Sequence, residues 1–245
     1  MTSSAPAQAN AGHGPDAPAD TLADAPAEVP AGSRLPAAGS GSVFLIVAPS
    51  GAGKTSLVKA MLAQRPQMEL SVSFTTRAPR PGETDGIDYH FVSRDTFLRR
   101  RDNGEFLEWA QVHDNFYATS RDWIAQRVAA GRDIVLEIDW QGATQVQRLL
   151  PAVVGIFIAP PSIAELRARL TRRGQDAPEV IERRVAAAET ELQQAHRFQY
   201  VIINETFDVA LAQLLTIVDG SGLRFAQQQA RHPELFRELL RATPA

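Results

Sequence analysis

The sequence predicts an α/β domain built on a parallel sheet with helices on both faces. An unbroken apolar run rich in β-branched residues, typical of a buried parallel strand, occurs at residues 43–47, and further core strands are predicted at 133–138 and 153–158. Stretches with helical apolar spacing follow the first and the last of these strands. Strands and helices therefore alternate along the chain, which favours crossover connections between parallel strands.

Composition limits the classes of function. The chain has 245 residues, a formal net charge of −3 and no cysteine. Its length fits one large domain or one domain with inserted lobes. The small net charge argues against a general nucleic-acid binder, and the lack of cysteine excludes disulfides and cysteine metal sites. No apolar stretch approaches the roughly 20 residues that span a membrane. We expect a cytoplasmic protein with small-molecule partners, and a homo-oligomer is compatible with the sequence.

Residues 1–41 form an Ala- and Pro-rich segment without an aromatic residue. Such a segment cannot bury enough apolar surface to offset the entropy of ordering, so we expect a disordered, dispensable N-terminal extension. It lacks the basic start and apolar core of a secretory signal, and its acidic residues disfavour a mitochondrial presequence. The folded domain is predicted to span residues 42–245.

A small, mostly antiparallel lobe is predicted at residues 73–119, where the alternation of strands and helices is interrupted. After a short strand at residues 68–74, the lobe contains a strand at 89–92, a helix at 94–102 and a hairpin of 106–112 with 116–118. The core is predicted to comprise residues 42–72, 120–160 and 195–245, with a strand at 200–203. Helices are predicted at 121–130 after the cap Ser120, at 163–170, at 178–194, at 207–218 and at 225–240.

A glycine-rich loop between the first strand and the first helix carries the strongest chemical signal. Such a loop turns backbone N–H groups towards an anion, and the helix N-terminus adds partial positive charge. The Lys54 ammonium can reach the β- and γ-phosphates of a nucleotide, and the Thr55 hydroxyl can ligate Mg²⁺. A glycine turn without a ligand is the alternative, and Ala48 replaces the first glycine of the full pattern. The predicted phosphate-binding residues are Pro49, Ser50, Gly51, Ala52, Gly53, Lys54, Thr55 and Ser56.

Arginines in two further segments could hold phosphate. Arg77 and Arg80 lie three residues apart in a Pro/Gly loop, where two guanidiniums can converge on one phosphate. Beside a triphosphate, a second cluster would neutralise charge on a transferred phosphoryl group. Either group could instead be solvated surface. The second cluster comprises Arg167, Arg169, Arg172 and Arg173.

Glu108 is the most informative acidic residue of the predicted lobe. If Phe106, Glu108 and Ala110 share one strand face, the carboxylate needs a donor partner. Guanine offers N1–H and N2–H₂ to a single carboxylate, and the corresponding edge of adenine offers no such pair. A solvent-facing strand glutamate is the alternative. Tyr89 and Tyr117, two of three tyrosines, could likewise be half-buried aromatics without a role.

Taken together, these segments resemble guanylate kinases, a family of nucleoside-monophosphate kinases. The Thr-Thr-Arg-x-Pro-Arg segment is the specific part, because many ATP and GTP users share the phosphate loop. The resemblance implies a core with the ATP site, a GMP-binding lobe over residues 73–119 and a helical lid over residues 161–194. The matching segments are Ala48-Pro-Ser-Gly-Ala-Gly-Lys-Thr55, Thr75-Thr-Arg-Ala-Pro-Arg-Pro-Gly-Glu83, Glu137-Ile-Asp-Trp-Gln-Gly142 and Arg173-Gly-Gln-Asp176.

The resemblance also implies a role for individual residues. Guanine contacts would come from Ser73, Glu108, Thr119 and Glu137, the last replacing an aspartate of many relatives. The GMP phosphate would be held by Arg77, Arg80, Tyr89 and Tyr117. Arg169, Arg173, Arg184 and Asn204 would lie at the ATP, and the catalytic residues would be Lys54, Arg77, Arg173 and Arg184. Thr55 would ligate Mg²⁺ directly, and Asp139 would do so through water.

The implied reaction moves the γ-phosphoryl group of ATP to GMP or dGMP, giving ADP and GDP, with Mg²⁺ as cofactor. No general base is expected, because the acceptor phosphate is already anionic. Two alternatives remain. A guanylate-kinase-like binding module without catalysis is disfavoured by the intact Lys54 and the pair of Arg77 and Arg80. A kinase of a phosphorylated sugar is disfavoured by Glu108 and Thr119.

Overall fold

A computed structural model of the chain describes residues 41–112, 114–174 and 176–241. The N-terminal extension predicted to be disordered, residues 1–41, lies outside the described residues except for Gly41. Nine strands are described, in two sheets. They are β1 Val43–Val47, β2 Met68–Leu70, β3 Phe74–Thr75, β4 His90–Phe91, β5 Phe106–Val112, β6 Asn115–Ser120, β7 Asp133–Glu137, β8 Val154–Ala159 and β9 Tyr200–Ile203.

The larger sheet is parallel throughout and has the strand order β2-β7-β1-β8-β9. Strand β1 lies at its centre, with Leu45 beside Leu136 of β7 and Gly155 of β8. All five residues of β1 are buried, because a central parallel strand is covered on both faces. The phosphate loop, which follows β1, therefore lies at the carboxyl end of the central strand of the sheet.

Helices cover both faces of this sheet, which confirms the predicted fold class. Leu57 and Met61 of the first helix pack with Leu214 on one face, and Ile124 and Val146 pack on the other. The helices are α1 Lys54–Gln64, α2 Arg94–Asp102, α3 Arg121–Ala129, α4 Trp140–Leu149, α5 Ile163–Arg172, α6 Pro178–Leu192, α7 Phe207–Ser221, α8 Phe225–Arg231 and α9 Pro233–Arg241.

The smaller sheet has the order β4-β3-β6-β5 and is mostly antiparallel, as predicted. Only β3 and β4 pair in parallel, whereas β6 pairs antiparallel with both β3 and β5. This sheet has an aromatic core of its own, formed by Phe74, Phe97, Phe106 and Phe116. The two sheets thus enclose separate apolar clusters.

Two predicted elements are wrong in extent. Residues 68–74 form two strands rather than one, because the Ser71 N–H makes a bond to Val135 of the parallel sheet before the chain crosses to the smaller sheet. Residues 225–240 form α8 and α9 rather than one helix. Pro233 has no N–H to continue α8, and His232 before it leaves the helical region with φ −128° and ψ 55°.

Helix starts follow the sequence closely. The Ser120 hydroxyl accepts a hydrogen bond from the Trp123 N–H, and the Ser162 hydroxyl accepts one from the Glu165 N–H, so both serines are N-caps. Among the described residues, no single helix is long and apolar enough to cross a membrane. Only α7 and α8 counted together, across a bend of 59°, reach that length and composition.

Candidate active site

The phosphate loop depends on two glycines with left-handed backbones. Gly51 has φ 92° and Gly53 has φ 98°, a region that favours residues without a Cβ. Gly53 also meets the Asn204 amide so closely that a Cβ there would collide with it. The Asn204 Nδ2 donates to the Ala52 carbonyl at 2.7 Å. Asn204, predicted to lie at the ATP, is therefore found against the loop.

Arg169 of α5 also contacts the phosphate loop. Its Nη2 donates to the Asn204 carbonyl at 2.8 Å, and its Nη1 lies 3.5 Å from the Ala52 carbonyl. Its Nε pairs with the Glu165 carboxylate at 2.9 Å. The leucines Leu166 and Leu170 of the same helix border Gly51. Arg169 is thus near the predicted triphosphate site: its bond to Ala52 connects α5 to the loop directly, and its bond to Asn204 does so through that residue.

Lys54 is half-buried at the start of α1, with its Nζ 3.4 Å from the Ile138 carbonyl. Burial lowers the pKa of Lys54, because a charged ammonium loses its hydration there. The carboxylates of Glu137, Asp139 and Glu191 oppose this shift. A half-buried cation close to three carboxylates is placed to receive the phosphates of a metal-bound nucleotide.

Glu137 and Asp139 follow the end of β7, and the structure brings them to different partners. The Thr55 hydroxyl donates to Glu137 Oε2 at 3.1 Å, so Glu137 lies at the phosphate loop. Asp139 Oδ1 accepts from the Gly142 N–H at 2.8 Å as the N-cap of α4. Its charge acts on Glu108. Asp139, rather than Glu137, is therefore the acid that the structure associates with Glu108.

Glu108 is 4% exposed and accepts a hydrogen bond of 2.6 Å from the buried Thr119 hydroxyl. Burial raises the pKa of Glu108 to about 8, the bond from Thr119 lowers it, and the charge of Asp139 raises it further. Gly142 of α4 borders this carboxyl group, since a Cβ there would lie 3.0 Å from Glu108 Cδ. The predicted pair of Glu108 and Thr119 is thus brought together in a buried position.

The surroundings of Phe106 differ from the expectation that it shares a strand face with Glu108 and Ala110. The pairing of β5 with β6 shifts between Phe106 and Glu108, which is a β-bulge at Leu107. Phe106 packs into the aromatic core with Phe97, whereas Leu107 packs against the parallel sheet. A bulge inserts one extra residue and redirects the next side chain, so Glu108 is aimed away from that aromatic core.

The arginine loop brings Arg77 to both predicted tyrosines. Its guanidinium lies 5.3 Å from the centre of the Tyr89 ring, and the Tyr89 and Tyr117 rings are 6.0 Å apart. Arg77 Nη2 pairs with Glu83 Oε1 at 2.7 Å, and this hydrogen bond raises the pKa of Arg77. The Arg80 N–H donates to Glu83 Oε2 at 2.7 Å, while the Arg80 side chain is exposed.

A model of the guanylate kinase family matches residues 40–221 of this chain. The chain belongs to the guanylate kinase family. It is 57% identical over 199 residues to guanylate kinase of Cupriavidus metallidurans, an alignment that covers 81% of this chain and 92% of that protein. Guanylate kinase of Dechloromonas aromatica is 53% identical over 201 residues, with 82% of this chain and all of that protein covered.

A solved structure agrees with this assignment. The crystal structure of guanylate kinase from Anaplasma phagocytophilum superposes with a TM-score of 0.68 at 33% sequence identity, covering 82% of this chain and 94% of that one. The family assignment therefore rests on sequence and on fold together.

The two remaining predicted site arginines of this guanylate kinase family member, Arg173 and Arg184, lie at the helix pair α5 and α6. These helices pack through an apolar cluster that includes Leu166, Leu170 and Val185. Arg184 Nη1 pairs with Asp176 at 2.8 Å, and Arg173 is exposed at the C-terminal end of α5. The structure thus places both on one helical unit, and α5 contacts the phosphate loop through the bonds given above.

Sequence reasoning assigned no role to three residues that shape these sites. Glu83 holds Arg77, Gly142 leaves room for Glu108, and Glu191 lies near Lys54. Glu83 and Gly142 could have been identified from the sequence, since each ends a segment that resembles the family. Glu191 carries no local signal, because it approaches Lys54 only when α6 packs on the core. Ser73 lies half-buried between β2 and β3, and its carbonyl accepts the His90 N–H.

Proposed function

We propose that this protein transfers the γ-phosphoryl group of ATP to GMP or dGMP, forming ADP and GDP with the help of Mg²⁺. One observation carries the proposal: Glu137 and Asp139, two residues apart after β7, are associated with the phosphate loop and with Glu108 respectively. A donor site at the loop and an acceptor site at Glu108 would therefore be neighbours. Phosphoryl transfer requires that arrangement, because its two substrates must meet in line.

The acceptor base is proposed to be guanine. A carboxylate at Glu108 can accept hydrogen bonds from both N1–H and N2–H₂ of guanine. The buried Thr119 hydroxyl donates to Glu108 Oε1 and so orients the carboxylate. Asp139 is the better candidate than Glu137 for a second acidic contact to the base, because its charge acts on Glu108. Since all these contacts are to the base or the phosphate, dGMP should be accepted as well as GMP.

The acceptor phosphate is proposed to bind at Arg77, Arg80, Tyr89 and Tyr117. The two donor bonds of Arg77 to Glu83 and to the Ala78 carbonyl leave further N–H groups of its guanidinium for the ligand. The two tyrosine hydroxyls can add neutral donors. Residues 73–119 would thus form the GMP-binding lobe.

The donor ATP is proposed to bind with its phosphates in the loop of residues 49–56, beside Lys54. Arg173 and Arg184 would complete the site when the lid of residues 161–194 closes, which would also exclude water. An anionic oxygen of the GMP phosphate attacks the γ-phosphorus, and the bond to the β,γ-bridging oxygen breaks with its electron pair going to ADP. No proton has to be removed first, so no general base is required.

The residues at the loop suit a magnesium ion. Thr55 offers a hydroxyl oxygen and Glu137 a carboxylate 3.1 Å away, and Mg²⁺ prefers a few such oxygens together with waters and phosphates. We propose that Thr55 and Glu137 hold the ion, with Asp139 able to contact one of its waters. When bound, Mg²⁺ neutralises charge on the β- and γ-phosphates.

A substrate panel tests this function. The full chain is incubated with ATP, Mg²⁺ and GMP, dGMP, AMP, UMP or CMP, while ADP is measured by a coupled assay and GDP by chromatography. Equal amounts of ADP and GDP are expected, with GMP preferred over AMP by roughly 10⁴-fold in catalytic efficiency. ATP consumption without GDP, preference for another monophosphate, or binding without turnover would overturn the proposal.

A further inference from the structure

Strand β5 is an outer strand of the smaller sheet, so every second residue turns its backbone N–H and C=O away from β6. At Trp109, one side chain of the core pairs with both groups. The Trp109 N–H donates to Gln145 Oε1 at 3.3 Å, and Gln145 Nε2 donates to the Trp109 carbonyl at 2.7 Å. A primary amide carries the same donor and acceptor as a peptide group, so Gln145 takes the place of a neighbouring strand.

This pairing acts on the residue next to Trp109, which is Glu108. The peptide unit between them is planar and contains the Glu108 Cα and carbonyl group as well as the Trp109 N–H. Holding the Trp109 N–H therefore also restricts the backbone of Glu108. On the other side of Glu108, the bulge at Leu107 interrupts the regular pairing with β6. Glu108 therefore lies between an irregular segment and the contact with Gln145, and its position depends on that contact more than it would in a regular strand.

Helix α4 contacts Glu108 at a second point on the same face. Gly142 and Gln145 are three residues apart and so neighbour each other on the helix surface. Gly142 leaves space for the carboxyl group, and Gln145 holds the following backbone. One rigid helix of the core thus limits both the side chain and the main chain of Glu108.

We propose that Gln145 is a positioning residue for guanine specificity, which holds the Glu108 carboxylate where it can accept two hydrogen bonds from the base. This inference rests on the proposed role of Glu108 in binding GMP. Bidentate recognition tolerates errors of only about 0.5 Å, so a small shift of β5 should cost the second bond before the first. The alternative is that Gln145 only stabilises the contact between the two sheets.

Inosine monophosphate separates these two roles, because it keeps N1–H and lacks the 2-amino group of GMP. A displaced carboxylate should therefore lose part of the preference for GMP over inosine monophosphate. A purely stabilising role would lower the thermal midpoint and affect both nucleotides alike. The preference between the two nucleotides is the readout that only positioning should change.

The test variant is Gln145→Met, which keeps the side-chain volume and removes both hydrogen bonds. The matched control is Gln147→Met on the same helix, since the Gln147 amide donates instead to the Arg197 carbonyl at 3.2 Å. Catalytic efficiencies for GMP and inosine monophosphate, the KM for ATP and the thermal midpoint are measured for the full chain. Gln145→Glu is a second variant that keeps an acceptor for the Trp109 N–H and loses the donor.

For Gln145→Met we expect a loss of about ten- to hundredfold in efficiency with GMP. The preference for GMP over inosine monophosphate should fall by at least about threefold, the KM for ATP should stay within about twofold, and Gln147→Met should match the parent enzyme. Gln145→Glu should lie between the parent and Gln145→Met, and it decides the question if Gln145→Met does not fold. An unchanged preference in the folded variant would overturn the inference.

Glu108→Gln, run in parallel, distinguishes this failure from a failure of the proposed function. If Glu108→Gln abolishes the preference while the Gln145 variants keep it, only the inference about Gln145 is wrong. If Glu108→Gln also keeps the preference, guanine is recognised elsewhere, and the proposed function of Glu108 is wrong together with the inference.

Discussion

Replacing Gly142 with alanine should damage GMP binding while leaving the fold intact. The added Cβ would lie 3.0 Å from Glu108 Cδ and well inside contact distance of Oε2, whereas ordinary contact begins at 3.4 Å. The Glu108 carboxyl group must therefore move. Because Thr119 and the backbone of β5 hold it from other sides, it has little room to do so without giving up its position.

The magnitude follows from this displacement. A misplacement of about 1 Å in a binding group can cost about 10²-fold, and we expect a loss of that order in catalytic efficiency with GMP. The KM for ATP should be nearly unchanged. Alanine is the better helix former by about 0.5–1 kcal/mol, which offsets part of the steric cost to stability. The thermal midpoint should therefore stay within the roughly 2–4 °C that correspond to 1 kcal/mol.

Gly220→Ala is the matched control, because Gly220 also lies in a helix and a Cβ there would meet open space. It should keep full activity and at least the parent midpoint. The coupled ADP assay gives the kinetic constants, and thermal unfolding gives the midpoints. Normal efficiency with GMP in a folded Gly142→Ala enzyme would refute the argument that the Glu108 carboxyl group must stay where Gly142 leaves space for it.

Three further predictions follow from the site. Lys54→Ala should lower turnover by about 10²–10³ or more in a protein that circular dichroism shows to be folded, and a loss under tenfold would contradict the ATP assignment. Arg77→Ala should raise the KM for GMP more than that for ATP, because the lost contact should weaken GMP binding by about 1.5–3 kcal/mol. Steady-state kinetics measures both constants, and a larger rise in the KM for ATP would contradict this assignment. Burial raises the pKa of Glu108 to about 8, so GMP must bind by displacing a proton below that pH. The KM for GMP should then fall by up to tenfold per unit as pH rises from about 6.5 to 8 and level off above, and Glu108→Gln should abolish this dependence.

Much of the parallel core was predictable because its signals are local. The apolar run at residues 43–47 matches β1 residue for residue. The cap Ser120 begins a helix where expected, and α5 starts at Ile163, the first residue of the predicted helix 163–170. The smaller sheet was harder to predict, since its boundaries depend on pairing. Nothing in residues 68–74 says that the chain changes sheets after Ser71, and the bulge at Leu107 exists only relative to β6.

The two acids after β7 illustrate why site geometry is harder to predict than site composition. In a continuing strand, Glu137 and Asp139 would point the same way. Asp139 instead caps α4, so the chain turns between them and the side chains separate towards Thr55 and Glu108. The contact of Gln145 with Trp109 joins residues 36 apart, and no local pattern announces it. The roles of the individual residues in binding substrates stay predictions.

The central claim is that the buried Glu108 carboxylate selects guanine, and its most direct test compares GMP with AMP. Catalytic efficiencies are measured for the parent and Glu108→Gln at saturating ATP and Mg²⁺. Glutamine keeps the size and offers a single acceptor oxygen, while its NH₂ group would face a donor of the base. The account predicts that the ratio for GMP over AMP falls by several orders of magnitude towards unity, from roughly 10⁴–10⁵ in the strongest cases. An unchanged ratio in a folded, active Glu108→Gln enzyme would contradict it.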